Sequence, residues 1–102
     1  MNNRYGYIGR FTAQPGRRDE LLAILLRAAD MLRSNNECLL YVMGITDEEP
    51  DALWSNEIWT SQAAHDAALE PDDVKEAIRH ALPLIAGMDT RTEMTVVGGK
   101  GI

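Results

Sequence analysis

Cysteine is almost missing from this chain: of 102 residues, only Cys38 carries a thiol. A single thiol cannot close an internal disulfide or build a metal–thiolate cluster, which suits a reducing compartment. Cys38 opens the apolar run Cys38-Leu39-Leu40-Tyr41-Val42 and is expected to be a small core side chain rather than a reactive one. Histidine is nearly as scarce. His65 and His80 stand far apart with no cysteine beside them, so no transition-metal cage is expected. No Gly-x-Gly-x-x-Gly turn or phosphate loop occurs, so a nucleotide cofactor has no evident cradle. No Gly-x-Ser-x-Gly elbow occurs either, and the few serines lack a nearby histidine–carboxylate pair. No apolar run approaches the roughly 18 residues of a membrane span. Met1-Asn2-Asn3-Arg4-Tyr5 lacks the apolar core of a signal peptide. Together these absences predict a cytoplasmic protein that works without cofactor or metal.

Positive charge is also in short supply. Ten Lys and Arg stand against 16 Asp and Glu, for a net charge of −6. The longest basic stretch is the pair Arg17-Arg18. Neither nucleic acid nor an anionic membrane surface is therefore an expected partner. At 45% hydrophobic and 25% charged, the composition is that of an ordinary globular protein. The length fits one domain over 1–102, which buries only a modest core and gains by hiding apolar surface in a dimer.

What is present is a clear succession of elements. Tyr5 to Ala13 alternates as a strand, with Tyr5, Tyr7, Gly9 and Phe11 on one face. Pro15-Gly16 ends it. From Arg17 to Arg33, Leu21, Leu22, Ile24, Leu25, Ala28, Ala29 and Leu32 recur at helical spacing. Asp19 and Glu20 lie in the first turn and Arg33 in the last, as the helix dipole prefers. Cys38–Ile45 and Leu53–Thr60 read as two strands joined by the acidic loop 46–51, a length that favours a hairpin. Ser61 is placed to N-cap a short helix running to Leu69. Pro71 starts a further helical segment that Pro83 ends or kinks, and Gly87 marks its exit. Thr90 to Val97 forms the last strand. The order β-α-β-β-α-β predicts an α+β, ferredoxin-like antiparallel sheet with helices on one face. The other face needs a cover, and a second subunit is the expected one.

The stretch from Ser55 to His65 carries the most specific signal. A strand ends on a tryptophan, and a short Ala-rich helix opened by a serine follows at once. This Glu57-x-Trp59-x-Ser61 signature, with the earlier strand-to-helix passage at Phe11–Glu20, resembles the antibiotic biosynthesis monooxygenase family. The resemblance covers nearly the whole chain and implies a homodimeric α+β barrel. It further implies an enzyme that oxidises a small electron-rich aromatic, of quinol or polyphenol type, with molecular oxygen and no cofactor. The physical logic is that a deprotonated polyphenol is itself a good electron donor, so the protein need only bind it dry and favour the anion.

The resemblance puts Trp59 on the pocket wall. Strand parity adds Ser55 and Glu57 to the same face and sends Trp54, Asn56 and Ile58 to the opposite one. Trp59 and His65 are the candidate catalytic residues; Tyr7, Ser55 and Glu57 are the candidate substrate contacts. Each has a plainer role. Trp59 and Tyr7 can be core aromatics, and Glu57 can pair with an arginine. His65 can sit exposed, but as a group titrating near neutral pH it serves as a general base if it faces the pocket. His80 is expected at the surface. Family members often carry histidine at the positions of Ala68 and near Asp73, and the haem-degrading branch needs an asparagine where this chain has Gly9. A glycine usual before the second strand is Glu37 here. Those departures weigh against haem degradation and keep open an alternative, a non-catalytic dimer that binds a small ligand or regulates a pathway.

Overall fold

The computed structural model describes residues 3–102; Met1-Asn2, part of the N-terminal stretch read above, lie outside the described residues. The elements are β1 (Arg4–Ala13), α1 (Arg18–Met31), β2 (Cys38–Gly44), β3 (Ala52–Trp59), α2 (Gln62–Ala67), α3 (Asp72–Ala81), a 3-10 turn (Leu82–Leu84) and β4 (Ile85–Val96). The sheet runs β2-β3-β1-β4 with every neighbouring pair antiparallel. This is the ferredoxin-like α+β arrangement.

Local chemistry explains the boundaries. Gly16 takes φ +75, a left-handed value that suits glycine, and its N–H donates to Asp51 Oδ1 at 3.1 Å. That turn feeds α1, whose Leu21 is fully buried against Ala13, Leu53, Ala81 and Leu84. Burying one such leucine contributes about 1.5–3 kcal/mol, so this cluster anchors the helices to the sheet. Leu32 caps α1: its N–H donates to the Ala29 carbonyl at 3.0 Å, and the Arg33 N–H donates to the Asp30 carbonyl at 3.2 Å. Arg33 therefore lies beyond the helix rather than in its last turn, and pairs with Asp30 at 2.9 Å.

β3 shows the expected alternation. Leu53, Ser55, Glu57 and Trp59 are buried while Asn56 is exposed. Ser61 caps α2, accepting from the Ala64 N–H at 3.1 Å. The helix ends at Ala67, two residues before the expected Leu69, and Pro71 separates it from α3. Pro83 then sits in the 3-10 turn that closes α3.

The last strand departs from expectation. It begins at Ile85, five residues before Thr90, and Gly87 lies inside it rather than marking a helix exit. Two register shifts against β1, between Arg10 and Phe11 and between Thr12 and Ala13, hide its start. A bulge inserts a residue and reverses side-chain parity beyond it. Met88 thereby comes opposite Phe11 and Ile85 opposite Ala13, while Arg91 stands opposite Gly9.

The helices cover the face bearing Tyr7, Phe11 and Trp59. On the other face Leu40, Val42 and Met94 are exposed, beside half-buried Ile8, Trp54 and Ile58. No described helix is long and apolar enough to cross a membrane.

Candidate functional site

Between sheet and helices lies a cavity of about 280 Å³, near the lower end of small-ligand pockets. Tyr7, Glu57, Trp59 and His65 form its polar end. Leu25 and Ile24 of α1 and Ile78 of α3 close its apolar side, and Arg91 of β4 stands at its edge. β1 and β3 set the floor, because Tyr5 pairs with Trp59 and Tyr7 with Glu57 across the ladder.

His65 reaches this floor from α2. Its ring packs edge-on against Trp59 (centroids 5.5 Å, 88°), stacks on Tyr7 (6.0 Å, 23°) and tilts over Tyr5 (5.1 Å). The side chain is only 16% exposed, so the exposed reading of His65 is corrected. The cause is helix phase: the Ser61 cap starts α2 where its fourth residue points back to the sheet. His65 Nδ1 lies 2.9 Å from Asp66 Oδ1. In the neutral ring a carboxylate at Asp66 favours the proton on Nδ1, which leaves Nε2 as the acceptor; in the charged ring both nitrogens donate.

Glu57 is the buried carboxyl of the site. Trp59 Nε1–H donates to its Oε1 at 3.0 Å, and His65 Nε2 stands 3.8 Å from the same oxygen. Burial pushes the Glu57 carboxyl above its ordinary range; the Trp59 hydrogen bond and the nearby His65 oppose that shift. The arginine partner expected for Glu57 is absent among the described residues. Its surroundings instead form an acid–base pair with His65 over a tryptophan N–H. Burial likewise raises the Tyr41 phenol on the cavity wall.

The remaining candidates divide. Tyr7 lines the cavity, and its hydroxyl accepts from Arg91 Nε at 3.3 Å. Ser55 shares the strand face but lies under Gly9 rather than on the cavity wall; its Oγ is buried with no hydrogen-bond partner among the described residues. An added Cβ on Gly9 would meet Ser55 Oγ and Tyr7 at 3.0 Å, so the missing side chain makes room for both. Ala68 lines the cavity. His80 is exposed and bonds Glu76 at 2.9 Å. Cys38 is half-buried rather than core, with burial raising its thiol pKa. It borders an open hollow between the end of α1 and β2 that Arg33 and Tyr41 also line.

Arg91 was not singled out from sequence. The signal for it is parity: counted back from the Gly9 pairing it shares the cavity face, but the bulges before it obscure the count. Met88 is hidden for the same reason. No set of three or more metal-binding side chains occurs among the described residues.

Comparison with known proteins places this geometry. A protein of Chloroflexus aurantiacus J-10-fl, provisionally assigned as an antibiotic biosynthesis monooxygenase, is 43% identical over 97% of this chain and 98% of its own, with a TM-score of 0.88. A Bacteroides thetaiotaomicron protein with the same provisional assignment aligns over 96% of this chain and 93% of its own (18% identity, TM-score 0.85). PA3566 of Pseudomonas aeruginosa aligns over 96% and 98% (18% identity, TM-score 0.84). The last two speak for the fold alone. No curated protein matches the chain. The sequence profile of the antibiotic biosynthesis monooxygenases matches residues 4–80, and with the fold and the Trp59 wall on the same stretch, the chain belongs to the antibiotic biosynthesis monooxygenase family.

Proposed function

We propose that this protein is a cofactor-independent monooxygenase that oxidises a small electron-rich aromatic, of quinol or polyphenol type, with molecular oxygen. The observation that carries the reading is the meeting of Trp59, Glu57 and His65 at one end of an otherwise apolar cavity. The reaction balances as a phenol with an open ring carbon plus O2 giving a quinone plus water. One oxygen atom joins the ring and the other leaves as water, and the substrate supplies the electrons.

His65 Nε2 takes the phenol proton, because Asp66 occupies Nδ1 and directs the free lone pair inward. Glu57 faces the same nitrogen and holds or releases a proton as the imidazole charges. Trp59 forms the aromatic wall and fixes Glu57 through its N–H. Tyr7 places a hydroxyl beside the ligand, and Ser55 backs the floor. The apolar helices keep water away from the phenolate and from reduced oxygen.

The active form in this proposal is a cytoplasmic homodimer. Its support is the apolar outer face of the sheet, where Leu40, Val42 and Met94 lie exposed, and the lone thiol. A 1–102 domain of this size leaves that face uncovered by its own helices. A second reading, a non-catalytic small-ligand binder, is favoured by Ala68 on the cavity wall where family members often carry histidine.

Oxygen uptake with a panel of naphthols, anthrones and quinols separates the two. Uptake with at least one substrate, lost in His65→Ala, is the expected outcome. Tight binding with no uptake on any substrate would refute the enzyme and support the binder.

A further inference from the structure

The cavity wall holds one permanent cation, Arg91, and the reaction proposed above gives it no task. Arg10, Arg17, Arg18, Arg33 and Arg79 each lie against a carboxylate, as expected in a protein with an excess of acids. Among the described residues Arg4, Arg27 and Arg91 form no such pair, and of these three only Arg91 lines the cavity. Its Nε donates instead to the Tyr7 hydroxyl at 3.3 Å, which leaves the Nη1/Nη2 end of the fork without a protein partner. Arg91 is itself exposed at the edge of the cavity; Glu93, the next residue on that face of β4, is also exposed, does not line the cavity, and adds a negative charge near the guanidinium.

In the ladder Arg91 stands opposite Gly9 and Glu57 opposite Tyr7, on the strands either side of β1. With strands about 4.8 Å apart and a two-residue offset of about 7 Å along β1, the Arg91 and Glu57 backbones are about 12 Å apart. Tyr7 bridges the interval, its hydroxyl on Arg91 and its ring stacked on His65. A guanidinium end with two parallel donors matches a planar carboxylate better than any neutral group. The apolar walls between the two ends fit a flat ring.

We infer that Arg91 and Tyr7 form an anion subsite, and that the ligand is a hydroxylated aromatic carboxylic acid of one or two fused rings. Its carboxylate faces Arg91 and its phenol faces Glu57 and His65. The phenol end rests on the oxidation reading above; the carboxylate end rests on Arg91 alone. Arg91 is then a specificity-determining residue that selects acids over neutral phenols of equal size.

The test uses 6-hydroxy-2-naphthoic acid and 2-naphthol as probes, with binding measured anaerobically by calorimetry near neutral pH. The wild type is expected to bind the acid about tenfold or more tightly than the naphthol, the scale of a charge-assisted hydrogen bond. Arg91→Gln should weaken the acid about tenfold and leave the naphthol unchanged. Arg91→Lys should recover part of the loss, since it keeps the charge without the fork. Added salt should narrow the acid's advantage. Equal affinities in the wild type would overturn the inference, as would an Arg91→Gln variant, folded by circular dichroism, that keeps its acid affinity or weakens both probes alike. Oxygen uptake on the two probes is read separately. Arg91-dependent acid binding with no uptake refutes the oxidation reading only; uptake with naphthol and no acid preference refutes this subsite only.

Discussion

Replacing Trp59 by phenylalanine tests the central contact of the site. The side chain is 2% exposed, and its N–H donates to a buried carboxyl at 3.0 Å. Losing a hydrogen bond to a charged acceptor costs about 1.5–3 kcal/mol, and exchanging indole for phenyl adds a smaller cavity cost than the roughly 3–5 kcal/mol of a change to alanine. The sum is about 2–4 kcal/mol, which a domain stable by about 5–15 kcal/mol survives. The cost depends on pH. The Trp59 bond favours ionised Glu57, so its extra strength is present above the Glu57 folded pKa and is lost as pH falls through it. At about pH 4, with Glu57 protonated, an ordinary bond of about 0.5–1.5 kcal/mol is all that remains to lose. Urea unfolding followed by far-ultraviolet circular dichroism at about pH 7 and about pH 4 measures both values. Combining Trp59→Phe with Glu57→Gln should show a coupling of about 1–2 kcal/mol. The same penalty at both pH values, together with zero coupling, would refute the contact. Trp54→Phe is the control: Trp54 lies on the outer face under the Arg10 guanidinium (5.2 Å) and should leave ligand binding unchanged. A Trp54 variant that loses the ligand while Trp59→Phe keeps it would put the pocket on the wrong side of the sheet.

Glu57→Gln should stabilise the protein at neutral pH. The folded carboxyl is raised above its ordinary 4.5, so the unfolded chain gives up that proton first and stability falls as pH rises from about 4.5 to the folded value. The advantage of the variant, read from thermal melts across pH, should therefore grow through that window and vanish in acid. His65→Ala should cost about 1–3 kcal/mol in denaturant unfolding, because the ring packs on three aromatics, and should lower oxygen uptake by about a hundredfold or more, partly restored by added imidazole. Light scattering at low micromolar concentration should give twice the 11.3 kDa chain mass, with Val42→Glu on the outer face reducing it to one.

Most of the fold could be read from short-range pattern. The 3.6-residue period of Leu21, Leu25 and Ala28 and the two-residue period of Leu53 to Trp59 are set by neighbours in sequence, and both faces came out as expected. The Trp59–Glu57–Ser55 face followed from parity alone. What escaped depended on partners far along the chain. The start of β4 lies where Gly87 and two bulges break the alternation, and only pairing with β1 holds Ile85–Asp89 extended. The orientation of His65 depends on where Ser61 sets the first turn of α2. Arg91 and its tie to Tyr7 join residues 84 apart. Glu57 was expected to seek an arginine, but the indole N–H two residues on was nearer.

The break at Pro71 has a dynamic consequence. A continuous helix over the cavity would move as one rod, and exposing the interior would require tearing a long apolar stripe from the sheet. Here the cover is two pieces, and the six residues of α2 are too few to persist as a helix without the sheet beneath them. The amides of α2 should therefore exchange with deuterium well before those of β1 and β3, by an opening that leaves the Leu21–Leu53–Leu84 cluster intact. His65 travels with that piece. Each such excursion would uncover the cavity and carry the imidazole out to water, so that one small local unfolding both admits the ligand and discharges the proton.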